Sequence, residues 1–237
     1  MSINCRKLAF LFFLSSAFAA ESSGQDAAYA ALYPEECHYA GEFYSLHKNL
    51  FENAAQNAAF EPQMLFAITA PELTQFSYLS DKLETYSLKV FYVQKGKAYS
   101  DFSIGCFQMK PSFVELLEET AAADAVLKTK YAACLFANPD EREARVTRID
   151  RLCTVEWQLT YLSLFCEIVR KRFGGLAFSG REEELRFYAA AYNCGFFKSE
   201  QQIKDMMQKT LFPRFSQQKF NYSDIAVWFY REIKAAK

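Results

Sequence analysis

The sequence predicts a mostly α-helical (α+β) single domain carrying one small β-hairpin, and three observations lead there. Apolar residues recur at helical spacing along most of the chain. Only Ser87 to Phe102 is rich in β-branched and aromatic residues around a turn-forming Gln94-Lys95-Gly96-Lys97. No Gly/Ser/Pro linker divides the 237 residues, and with 51% of them hydrophobic they suffice for one sizeable core.

The N-terminus sets the expected compartment. Arg6 and Lys7 precede an apolar run from Leu8 to Leu14, and Ala17-Phe18-Ala19 follows with small residues at a cleavage site. Residues 1–19 therefore read as a secretory signal, residues 20–30 as a short polar tail and residues 31–237 as the domain. No later run approaches the ~18 to 20 apolar residues that crossing a bilayer requires. The expectation is an exported protein, periplasmic or secreted, and not an integral membrane protein. Without residues 1–19 the chain loses two bases and no acid, so 25 basic side chains face 28 acidic ones, a formal charge of −3. Nothing in that balance suggests a nucleic-acid partner.

Six cysteines follow the signal: Cys37, Cys106, Cys134, Cys153, Cys166 and Cys194. In an exported chain they permit up to three disulfides, and buried thiols acting as small hydrophobes are the plainer reading. The two histidines, His38 and His47, form no ligand cluster with them, so no metal is expected.

The elements follow in order. Pro62 opens a helix through Leu65, Ile68 and Phe76, which Pro71 must kink or restart. Ser87 to Val93 and Ala98 to Phe102 are the expected hairpin strands. Ser112-x-x-Glu115 is a capping-box pattern that starts the next helix behind Pro111 and carries it towards Phe136. Alternating charges from Asn138 to Arg151 read as a solvated surface. Leu159, Leu162, Cys166 and Val169 form one stripe of a helix ending at Gly174-Gly175, and Ser179-x-x-Glu182 starts another. A last helix runs from about Ser223 to Lys234, and the aromatic residues crowding that quarter read mainly as core.

Three segments carry the chemistry. On the Pro62 helix Glu72 shares a face with Leu65, Ile68 and Phe76, so desolvation should raise its pKa and keep it protonated as a general acid. Thr69-x-x-Glu72 is also a capping box, which explains the residue equally well. Gly105-Cys106-Phe107-Gln108-Met109-Lys110-Pro111 combines a glycine for close backbone approach with an amide that offers both donors and an acceptor. Ala189-Ala190-Ala191-Tyr192-Asn193-Cys194-Gly195 ends a helix on Asn-x-Gly.

A carboxylate, then Gly-x-x-Gln-Met, then Ala-Tyr-Asn-x-Gly resembles the order in lytic transglycosylases and goose-type lysozymes, over roughly Glu61 to Phe196. The resemblance implies a lysozyme-like domain with the hairpin beside an active-site cleft, cutting the β-1,4 bond between N-acetylmuramic acid and N-acetylglucosamine. It implies Glu72 as catalytic acid and base, with Gln108, Met109, Tyr192 and Asn193 holding peptidoglycan or a related glycan, and no organic cofactor. The chain departs from the pattern at Leu73, where the family usually has Ser, and in the 33 residues separating Glu72 from Gly105. Asp101 is a candidate second carboxylate. About 6.5 to 9.5 Å from Glu72 it would permit hydrolysis with inversion, as in a muramidase or chitinase-like enzyme. A turn residue bonding local amides is the alternative for Asp101. A glycan-binding protein that keeps the fold without turnover is the remaining alternative.

Overall fold

The computed structural model describes residues 24–76, 78–214 and 216–236. The expected signal over residues 1–19 lies outside them. Thirteen α-helices follow one another among the described residues: α1 (Gly24–Leu32), α2 (Pro34–Leu46), α3 (Lys48–Ala58), α4 (Pro62–Leu73), α5 (Tyr78–Val90), α6 (Tyr92–Lys95), α7 (Pro111–Ala122), α8 (Ala125–Lys130), α9 (Arg142–Leu152), α10 (Val155–Arg172), α11 (Arg181–Cys194), α12 (Glu200–Met206) and α13 (Tyr222–Ala235). A short antiparallel pair, β1 (Thr210–Phe212) and β2 (Phe220–Asn221), precedes the last helix. The mostly helical class expected from the sequence is what the chain adopts. None of the described helices is long and apolar enough to cross a membrane.

Helix α4 is the axis of the fold, with α3, α11 and α13 packed around it. A helix that is apolar all round belongs inside a protein, and α4 obeys: from Gln63 to Thr74 every residue is buried except Glu72. Pro71 is accommodated inside the helix, two residues before its last residue, Leu73. Helix α13 starts abruptly because the Asn221 side chain accepts from the Ser223 and Asp224 amides. Part of the expected polar tail is ordered: α1 covers Gly24–Leu32, and its Tyr29 ring is wholly buried against Phe220.

The hairpin between 87 and 102 does not form. Its first half is helical in α5 and α6, and Tyr99 and Phe102 in its second half are exposed. Leu88 and Tyr92, one helical turn apart, are both fully buried, and α5 and α6 pack on α9. A helical partner rewards that spacing, and it overrides the β-propensity of the side chains. The small sheet instead sits at 210–221, where it leads into α13.

The charged stretch before Arg151 is also not simply a surface. Ala144, Arg148 and Leu152 fall one turn apart on α9 and face inward, with Arg148 fully buried against Glu118. The Ser112-x-x-Glu115 pattern is not used as a capping box, because α7 begins at Pro111 and Glu115 turns to Lys97 at 2.9 Å. The helix expected to reach Phe136 stops at Ala122, where Asp124 caps the separate α8. Of the six described cysteines, Cys37, Cys106, Cys134 and Cys166 are buried, Cys194 is half-buried and Cys153 is exposed.

Candidate active site

Glu72 is placed by the helix that buries everything around it. The residue as a whole is half-buried, and burial pushes its carboxyl up to about 7, with the Tyr222 hydroxyl bonded to it and pulling the other way. Tyr222 stands at the first turn of α13 and also donates to the Ile68 carbonyl at 3.0 Å. Its single hydroxyl hydrogen thus has two acceptors in reach, the Ile68 carbonyl and the Glu72 carboxylate. While Glu72 is protonated, the Tyr222 oxygen can accept from it; once Glu72 ionises, Tyr222 can donate to it.

The second segment is a tight turn held at both ends. Ile104 and Met109 exchange backbone bonds of 3.0 and 3.1 Å, and Gly105 and Gln108 both have positive φ, +74° and +50°. The Gln108 amide nitrogen donates to the Gly105 carbonyl at 2.9 Å, so this half-buried side chain folds over its own turn. Met109, expected at the substrate, is instead a core residue, only 1% exposed.

Gln158 from α10 pins that turn. Its amide oxygen accepts from the Phe107 N–H at 2.8 Å and the Cys106 thiol at 3.2 Å, while its nitrogen donates to the Ile104 and Leu152 carbonyls at 2.9 and 2.7 Å. A Cβ at Gly105 would stand 1.7 Å from Gln158 Nε2 and 2.4 Å from the Leu152 oxygen. Gly105→Ala should therefore cost about 2 to 3 kcal/mol and loosen the turn. Urea denaturation of the variant checks this, and an unchanged midpoint would refute it. The sequence analysis does not single out Gln158, and the available signal is an amide directly before Leu159, the first residue of the Leu159, Leu162, Cys166, Val169 stripe.

Tyr192 links the third segment to the other two. Its hydroxyl donates to the Phe107 carbonyl at 2.7 Å, and its ring is boxed edge-on by Phe113 and Phe165, at 5.5 and 5.4 Å. Burial, then the nearby Glu72 carboxyl, push its phenol well up, so it stays protonated. Asn193 is exposed at the end of α11, and Gly195 follows at φ +102°. Three segments as much as 120 residues apart are thus linked, with the Tyr192 hydroxyl on the turn and the Glu72 carboxyl near enough to bear on the Tyr192 phenol.

Asp101 goes elsewhere. One oxygen accepts from the Ser112 N–H at 2.9 Å and the other from the Ser112 hydroxyl at 2.6 Å, which caps α7 from outside. Tyr222 was read as core, and nothing in the sequence relates it to a residue 150 positions earlier. Tyr222→Phe should push the Glu72 carboxyl above about 7 by removing the donor that stabilises its charged form. Carboxyl titration by carbon NMR reads this directly, and a fall would contradict it.

A groove of about 640 Å³ lies between Ser179–Glu183 and Tyr230–Lys234 and includes none of these residues. Its bases are neutralised in place, Arg231 by Glu182 at 2.5 Å and Arg181 by Glu184 at 2.7 Å. Among the described residues no group of three His, Cys, Asp or Glu is placed to hold a metal. No family model, curated protein or solved structure matches the chain.

Proposed function

We propose that the chain is a glycosidase in which one carboxyl, Glu72, serves as both acid and base. The particular reaction we assign is lytic transglycosylation of peptidoglycan by an exported enzyme of lysozyme-like fold. The observation that supports the reading is a convergence: the Glu72 carboxyl, pushed up to about 7, is bonded by Tyr222 and near enough to bear on the phenol of Tyr192, which bonds the Gly105–Gln108 turn.

A carboxyl near 7 is balanced between donating and accepting a proton at neutral pH. Protonated Glu72 gives its hydrogen to the oxygen between N-acetylmuramic acid and N-acetylglucosamine as that bond breaks. The carboxylate then takes the proton from the 6-hydroxyl of the muramic residue, whose oxygen closes on C1 to give a 1,6-anhydro product. Tyr222, able to accept from the acid and donate to the base, suits both halves of that cycle. Gln108 and Asn193, at the turn and at the end of α11, are the polar side chains we assign to the sugar.

Asp101 supports the single-carboxyl route over hydrolysis, because Ser112 engages both of its oxygens. The test is mass spectrometry of peptidoglycan digested by wild type, Glu72→Gln and Asp101→Asn. Anhydro-muropeptides that disappear only with Glu72→Gln are the expected result. Reducing-end products lost with both variants would replace the reading by hydrolysis. Glycan binding without soluble products from any form would leave a binding protein.

A further inference from the structure

Pro71 weakens the turn of α4 that carries Glu72, and side chains take over from the backbone there. Pro71 has no N–H to return to the preceding turn. At the other end, the Gln75 N–H bonds the Glu72 carbonyl at 3.0 Å, not the Pro71 carbonyl. The Pro71 carbonyl accepts instead from Thr74 Oγ1 at 2.7 Å. A hydroxyl has one hydrogen, and that of Thr74 is spent on Pro71. The Tyr29 hydroxyl, bonded to Thr74 Oγ1, must then be the donor between them. Its oxygen in turn accepts from Gln75 Nε2 at 3.2 Å. The relay is one-way, from the Gln75 amide through Tyr29 and Thr74 to Pro71, and it closes on both sides of Glu72.

Tyr29 reaches the second support of Glu72 as well. Its ring meets Phe220 edge-on at 5.0 Å and Phe212 at 6.5 Å, and Phe220 lies two residues before Tyr222. Tyr29 is wholly buried and belongs to α1, far from α4 in sequence.

We propose that Tyr29 is a positioning residue for Glu72: its hydroxyl fixes the last turn of α4, and its ring fixes the strand end that delivers Tyr222. The proposal rests on the reading of Glu72 as the catalytic acid. Burial pushes the Tyr29 phenol up, so it remains a donor across the working pH range. The titratable group seen to act on Glu72 is Tyr222 from α13, Glu72 in turn bears on Tyr192 from α11, and Tyr29 touches the mount of Tyr222.

The experiment compares Tyr29→Phe and Thr74→Val, which keep shape but lose hydroxyls, with Thr74→Ser, which keeps the hydroxyl. Muropeptide release by the full chain gives kcat and KM, the melting temperature shows that each variant is folded, and carbon NMR follows the Glu72 carboxyl. The first two variants should lose kcat by roughly ten- to hundredfold, with KM within about twofold of wild type. Their Glu72 should titrate lower as the loosened turn admits water, while Thr74→Ser restores both readouts. Wild-type kcat and titration in Tyr29→Phe, or Thr74→Ser falling as far as Thr74→Val, would overturn the proposal. If wild type itself releases nothing, the glycosidase reading fails instead. The NMR titration then decides Tyr29 alone, an unchanged Glu72 in Tyr29→Phe counting against it.

Discussion

Glu72→Gln should reduce muropeptide release by ~10² to 10⁴, the range that a positioned general acid supplies, while glycan binding stays close to wild type. The same substitution should stabilise the protein, and only at higher pH. The carboxyl titrates at about 7 in the fold against an ordinary 4.5. Between those values the folded chain keeps a proton that the unfolded chain has released, so stability is greatest below pH 4.5 and declines as pH rises through 7. The full shift corresponds to ~3 kcal/mol, and the partial exposure of the residue reduces that to about 1 to 3 kcal/mol. Glutamine carries no such pH dependence. Urea melts of the two forms at pH 4 and pH 8 should therefore diverge only at pH 8. Equal differences at both would mean that Glu72 is not raised, and the acid would lose its physical basis.

Arg148→Met should cost about 3 to 5 kcal/mol, because it leaves a buried carboxylate without its partner. Arg148 has no solvent exposure and grips Glu118 through Nη2 at 2.6 Å and Nε at 3.1 Å, while Nη1 meets the Tyr92 hydroxyl at 2.5 Å. Tyr161 adds a donor to Glu118 at 2.8 Å, and Tyr92 donates to Glu115 at 2.6 Å. Burial pushes the Glu118 carboxyl up, and donation from Arg148 and Tyr161 works against it. One network thus ties α6, α7, α9 and α10 together. Adding Glu118→Leu to Arg148→Met should recover most of the loss, since a buried pair replaced by apolar groups is often near neutral. A double variant no better than the single one would place the energy in packing rather than charge. Chemical denaturation of the four forms completes the cycle.

Much of the candidate site was legible because its signals are local. Glu72 follows Leu65 and Ile68 at helical spacing, so a shared face with apolar residues could be read directly. Gly105 and Gly195 marked turns, and both take positive φ. The errors share a cause. Ser87 to Phe102 was read from β-propensity, and Asn138 to Arg151 from charge pattern, yet in each the burying partner chose the outcome. Leu88 and Tyr92 became helical because α9 covers them, and Arg148 went inward because Glu118 waits there. Propensity and charge describe a segment alone, whereas burial is a property of a pair.

The sequence by itself determined a mostly helical chain, a carboxylate on an apolar helical face, and the turn and helix end that accompany it, because periodicity and glycine act within a few residues. Only the tertiary structure decided that Tyr222 would bond Glu72, that Gln158 would lock the turn and that Asp101 would cap α7. Tyr29 belongs with these, reaching Thr74 across 45 positions of chain. Such contacts depend on which surfaces the folded helices bury together, and no spacing along the chain encodes that.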